Sequence, residues 1–199
     1  MRESTAGILT SIAMLLFIAP SIASAERPRL VVLTDIGGDP DDTQSLIRLM
    51  VYSNEFEIEG LIASASGTPG ELKEAVTRPD IILEVISRYE QVLPNLKMHR
   101  EDFPSADQLR ACVKSGNANR GRDYVGEGHD TEGSKLLIEA IDSGSDERPL
   151  NISIWGGQTD FAQAMWRVKY DRGRDAFAEF VRKFRVYDIN DQDGIAAWM

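Results

Sequence analysis

Short, fully apolar runs alternate along this chain with longer stretches in which apolar residues recur every three or four positions. Leu30-Val31-Val32-Leu33 is the first such run. It is rich in branched side chains and lacks polar alternation, the mark of a strand covered on both faces. From Thr43 to Ser53 the period becomes helical, with Leu46, Ile47, Leu49 and Met50 on one side. Ile58–Ala63 predicts a second strand. Pro79–Val92 predicts a longer helix: Pro79 suits a first turn, and Ile82, Leu83, Val85 and Ile86 form an apolar stripe. A shorter helix is expected over Ala106–Lys114, then a long glycine-rich loop over Ser115–Asp130. Loops of that length inside compact domains usually carry function. Helix Ser134–Ile141, strand Leu150–Trp155, helices Thr159–Val168 and Ala176–Phe184, and strand Arg185–Ile189 complete the reading. Strands separated by helices predict an α/β fold, a mostly parallel sheet with helices on both faces.

The two ends read differently. Met1 and Arg2 precede an apolar run from Ile8 to Ile18, then Pro20 and the small residues Ala23-Ser24-Ala25. The run is too short to span a bilayer comfortably, and small residues before Glu26 suit signal-peptidase cleavage. Residues 1–25 are therefore expected to be a signal peptide, and 26–199 a single α/β domain, secreted or periplasmic, with no membrane association after cleavage. At the other end, Ile195-Ala196-Ala197-Trp198-Met199 reads as a first helical turn with no capping residue. The domain is expected to be incomplete at its C-terminus.

Composition narrows the function. Of 199 residues, 42% are hydrophobic and 27% charged, as in globular proteins. A net charge of −10 argues against a nucleic-acid partner, which needs a concentrated positive field, and is compatible with cation binding. The single cysteine, Cys112, excludes an intrachain disulfide and reads most simply as a small core residue on a helix.

The chemistry gathers at the first strand–helix turn, Thr34-Asp35-Ile36-Gly37-Gly38-Asp39-Pro40-Asp41-Asp42. In parallel sheets ligands bind beyond the carboxyl ends of the strands, where this loop falls. Four clustered carboxylates repel one another unless a cation or protons intervene, and the two glycines let the backbone fold tightly enough for them to converge. A hard cation, Ca²⁺ before Mg²⁺, is the expected guest. The bland alternative is helix capping by Asp39, Asp41 or Asp42. Other motifs fail on spacing: the second Asp of a haloacid-dehalogenase-type phosphatase would stand at Ile36, and neither an EF-hand nor a phosphate-binding glycine loop matches.

Leu33-Thr-Asp-Ile-Gly-Gly-Asp-Pro-Asp-Asp42 resembles the aspartate-rich opening of the nucleoside hydrolase superfamily, usually D-x-D-P-G-x-D-D. With Val125-Gly-Glu-Gly-His-Asp-Thr-Glu-Gly-Ser134 and Ile154-Trp-Gly-Gly-Gln-Thr-Asp160, the chain is most similar to a secreted bacterial branch, the cellulose-binding, nucleoside-hydrolase-like domain family. The resemblance spans roughly residues 29–199. It implies that Asp35 is a metal-bound general base, Asp42 a bidentate metal ligand, and Asp41 an acceptor for a sugar hydroxyl. It also implies that Trp155 donates its backbone carbonyl to the metal. Metal-bound water attacking an anomeric carbon through an oxocarbenium-like transition state is the implied chemistry. Asp191 and Asp193 follow a strand whose end lines the sugar site in that superfamily, although a solvated acidic turn is their bland reading. The Asn that follows the second strand in the superfamily has no counterpart at Ser64–Thr68, Thr-Asn of the third-strand turn is Thr159-Asp160, and a further metal-binding Asp belongs to a C-terminal half not present here. His129 and the tryptophans Trp155, Trp166 and Trp198 are read as loop and core residues before ligand contacts.

Two functions are therefore expected of this sequence. One is an exported, Ca²⁺-dependent hydrolase of nucleoside-like N-glycosidic bonds. The other is a non-catalytic carbohydrate (cellulose)-binding module on the same fold. A small-molecule nucleoside or carbohydrate is the expected partner, and a homo-oligomer is left open.

Overall fold

The computed structural model describes residues 26–38, 40–66 and 75–198. The expected signal peptide, Asp39 and Met199 lie outside the described residues.

Strand β1 (Arg29–Thr34) is buried along its whole length. It leads through the aspartate turn into helix α1 (Asp41–Val51). Strand β2 (Glu57–Ala63), helix α2 (Pro79–Lys97), helix α3 (Ala106–Ala111) and strand β3 (Val113–Ser115) follow. The chain continues through helix α4 (Glu132–Asp142), strand β4 (Leu150–Ile154), helix α5 (Gln158–Phe180) and strand β5 (Phe184–Asp188). The strands pair in the order β3-β2-β1-β4-β5, and every pairing is parallel. The α/β class with a parallel sheet is the one the hydrophobic pattern predicts.

β1 is apolar on both faces because the sheet is covered on both. Leu30 and Val32 pack with Leu46, Met50, Ile82 and Ile86 of α1 and α2. Val31 and Leu33 point the other way and pack with Leu137 and Ile141 of α4 and with Phe161 and Met165 of α5. At the far end of β1 from the aspartate turn, the buried Arg29 pairs with Glu59 and donates to the Ala140 carbonyl and the Ser143 hydroxyl. That buried charge is paired, as its burial requires, while its Nη1 has no hydrogen-bond partner.

Three element expectations need correction. Ala106–Lys114 is not one helix: α3 ends at Ala111, and Val113–Ser115 pairs with Leu61–Ala63 as strand β3. Three residues are too few to show a period, and only pairing with β2 makes them a strand. Helix α2 runs five residues past Val92, through Pro94, because losing one N–H donor near a helix end does not stop the turn. The two helices expected after β4 are present within α5, which is broken at Gly173, where φ is +77°, but the second ends at Phe180 because Phe184 pairs with Leu150 as the start of β5.

Chain order reverses direction across β1: β2 and β3 lie on one side, β4 and β5 on the other. The carboxyl ends of β1 and β4 therefore flank the switch point, where sheets of this kind hold their ligands.

Candidate functional site

Asp35 is the first residue beyond β1 and is half-buried. Its backbone bends away through Gly37, where φ is +110°; a Cβ there would stand 2.5 Å from the Ser66 hydroxyl, so only glycine fits. The turn delivers the chain to Pro40, at the N-cap of α1, which makes no side-chain cap. Asp42, in the first turn of α1, is buried and faces back into the site. Its Oδ2 accepts a hydrogen bond from the Thr34 hydroxyl, and its carboxyl also bonds that of Asp35. Helix capping is thus not what Asp42 does. Asp41 is exposed and accepts the Asp42 amide at 2.8 Å.

β4 supplies the opposite wall. The Trp155 amide donates to the Leu33 carbonyl at 2.9 Å, and its indole Nε1 to the Ser153 hydroxyl at 3.0 Å. The two glycines after it are required by close approach. A Cβ on Gly156 would lie 2.3 Å from the Asp35 carboxyl carbon, and one on Gly157 would lie 2.1 Å from the Ser64 hydroxyl. The W-G-G segment therefore lets the backbone of β4 lie directly against the Asp35 carboxyl and the end of β2.

The residue that organises the site is Arg120, in the glycine-rich loop. Its Nη2 donates to Asp35 Oδ2 at 2.8 Å and to the Ala65 carbonyl at 2.9 Å, and its Nε lies 3.9 Å from Asp193 Oδ1. Only 13% of the Arg120 side chain and 11% of that of Asp35 is exposed. The loop is held in place from both sides. Gly121 donates its amide to the Thr159 hydroxyl at 2.8 Å. The Asn117 amide donates to the Asp160 carboxylate, which also accepts from the Ser64 hydroxyl at 2.6 Å and from the Thr131 hydroxyl at 2.7 Å.

Burial, the hydrogen bond with Asp42 and the charge of Asp42 push the Asp35 carboxyl up to about 8, against the opposing pull of Arg120. Burial also pushes Asp160 up, while its hydroxyl and amide donors hold it down.

Asp193 and Asp191 separate. Asp193 is buried; its Oδ2 accepts the amide and hydroxyl of Thr159 at 2.7 and 2.6 Å, and its Oδ1, facing Arg120, has no hydrogen-bond partner. Asp191 is exposed and accepts the amides of Ile195 and Ala196 at 2.7 and 3.1 Å, closing a local turn. The structure thus places Asp35 against Asp42, with Trp155 beside them and Asp193 linked to Asp35 through Arg120. Asp41 accepts the amide of the next residue and Asp191 those of residues four and five positions on, both local contacts.

Sequence reasoning missed Arg120 and Asp160. Arg120 lies in a loop with no motif of its own. Asp160 stands in the sequence only as a replacement for the Asn of the superfamily turn. His129 meets Tyr124 edge-on, Trp166 stacks on Tyr170 with centroids 5.0 Å apart, and the Arg122 guanidinium covers Trp198. These aromatic residues lie outside the Asp35 cluster, though Trp198 is exposed and not part of the core.

A divalent cation such as Ca²⁺ asks for about six to eight oxygen ligands. Among the described residues no three acidic, histidine or cysteine side chains gather to offer them. The two carboxyls that meet already hold partners, Thr34 on Asp42 and Arg120 on Asp35. The described residues do not fit a resident Ca²⁺.

Residues 29–199 match the family model described as cellulose-binding Sde182, nucleoside hydrolase-like domain. The chain belongs to that family. A solved structure of a nucleoside hydrolase-related hypothetical protein from Saccharophagus degradans, associated with carbohydrate metabolism, is similar to this member at 37% identity and a TM-score of 0.77. The match covers 87% of this chain and 41% of that one, so the Sde182-type domain here spans about two fifths of its neighbour's length. No curated protein matches the chain.

Proposed function

We propose that this domain binds a carbohydrate at the carboxyl ends of β1 and β4, with Asp35 accepting and Arg120 donating hydrogen bonds to sugar hydroxyls. The observation that carries this reading is the Asp35–Arg120 pair, partly exposed at the strand switch point and backed by the buried Asp193. A sugar hydroxyl both donates and accepts, so neighbouring hydroxyls match a carboxyl beside a guanidinium. The family description and the neighbour's association with carbohydrate metabolism favour the same ligand class. The apolar segment Ile8–Ile18 favours export to meet such a ligand outside the cytoplasm.

A second reading, hydrolysis of an N-glycosidic bond with Asp35 as base, is favoured by one feature: Asp35 and Asp42 meet at the first strand–helix turn, as the superfamily resemblance implies. The two readings separate in one experiment. Cellotetraose, ribose and inosine are titrated into the chain by calorimetry, and ribose release from inosine and uridine is followed in parallel. Saturable binding of the oligosaccharide, weakened by Asp35→Asn, without ribose release is the expected result. Turnover of either nucleoside that Asp35→Asn abolishes would establish the hydrolase instead.

A further inference from the structure

We infer that Arg120 is the resident counter-cation of this site, standing where a metal would otherwise balance Asp35, and that the site works without a divalent ion. The inference takes from the proposed function only that the Asp35 cluster is the ligand site.

Three observations carry it. First, the guanidinium is bonded to the very carboxyl that a metal would need, at 2.8 Å, and its second bond to the Ala65 carbonyl fixes its orientation. Arginine keeps its charge at any working pH and offers no lone pair to a metal, so at this distance it repels a cation and cannot share in ligating it. Second, Arg120 does not stand on a free arm. The flanking Gly121 is tied to Thr159, and Asn117, three residues earlier, to Asp160. A side chain anchored on both sides is a fixed part of the site. Third, Asp193 lies behind the guanidinium with 1% of its side chain exposed, and its Oδ1 has no hydrogen-bond partner. A buried carboxylate oxygen without a bonded donor needs a positive charge nearby, and Arg120 Nε, 3.9 Å away, is that charge. Arg120 thus balances acids that converge from the ends of β1 and β5, a task a bridging cation performs in carboxylate-rich sites.

Removing the guanidinium should therefore create a metal site rather than destroy one. Arg120 stands between Asp193 and the Asp35–Asp42 pair; without it these acids lose their counter-charge and can close on Ca²⁺, the hard cation suited to oxygen ligands. The test is calcium titration by calorimetry, with thermal melts in chelator and in calcium, on the native chain and on Arg120→Met. The native chain is expected to show no calcium heat and identical melts. Arg120→Met is expected to bind calcium at least about tenfold more tightly than the native chain and to melt higher with it. Circular dichroism establishes that the variant is folded. If Arg120→Met does not fold, Arg120→Gln, neutral but still able to donate to Asp35, carries the same measurement. Calcium binding by the native chain overturns the inference, and so does a folded neutral variant that gains none. Because the probe is the metal alone, either outcome leaves the sugar titration to stand or fall by itself.

Discussion

The Ser64 hydroxyl at the end of β2 donates to Asp160 Oδ2 at the start of α5 at 2.6 Å, joining residues 96 positions apart. The same carboxylate accepts from Thr131, the capping residue of α4, and from the Asn117 amide in the Arg120 loop. One buried acid thus ties a strand end, two helix starts and the site-bearing loop together.

Asp160→Ala leaves the buried Ser64 hydroxyl and two half-buried donors without an acceptor and is expected to cost about 3–5 kcal/mol. Asp160→Asn keeps one acceptor oxygen and is expected to cost roughly half of that. Gly116→Ala is expected to be comparably harmful, because its Cβ would stand 2.1 Å from Asp160 Oδ2. Urea unfolding of the three variants checks this order; an unimpaired Asp160→Ala would remove the acid from its central place.

Asp35 predicts a pH dependence. Its folded value, about 8, lies above its ordinary 3.8, so the folded chain binds the proton more tightly than the unfolded one. That contribution to stability is complete below about pH 4 and is lost as the pH rises towards 8. Unfolding free energy in chelator is expected to decline between about pH 5 and pH 8, and Asp35→Asn is expected to flatten that decline. Urea titrations at several pH values, native against variant, provide the measurement; equal slopes would count against the raised Asp35 carboxyl.

The two acids after β5 are expected to behave oppositely. Asp193→Ala frees the amide and hydroxyl of Thr159 and releases Arg120, so it should cost about 2–3 kcal/mol and weaken cellotetraose binding. Asp191→Ala removes a turn closure worth about 1 kcal/mol and should leave binding intact. Melting temperatures and calorimetric affinities of the pair decide the matter.

Asp41 and Asp42, adjacent in sequence, should also diverge. Asp42→Ala strands the buried Thr34 hydroxyl and takes away the partner of Asp35, at an expected cost of about 1–3 kcal/mol. Asp41→Ala touches an exposed helix start and should cost about 0.5–1 kcal/mol. Chemical denaturation of both variants tests the difference, and a larger loss in Asp41→Ala would reverse their places.

Much of this was legible in the chain itself. The run Leu30–Leu33 announces a strand buried on both faces, because only an interior strand tolerates no polar alternation. The aspartate turn after it announces the site, since acids with two glycines beyond a parallel strand leave few other readings. What no local pattern contains is pairing across long sequence distances. Strand β3 exists only because β2 offers it hydrogen bonds, and Arg120 matters only because its loop is pinned to Asp160 and Thr159. Asp191 and Asp193 sit two residues apart in the same acidic turn with nothing in composition to separate them. Tertiary structure buries one against Thr159 and Arg120 and leaves the other to close a turn, because burial is a property of the folded surface and not of the residue.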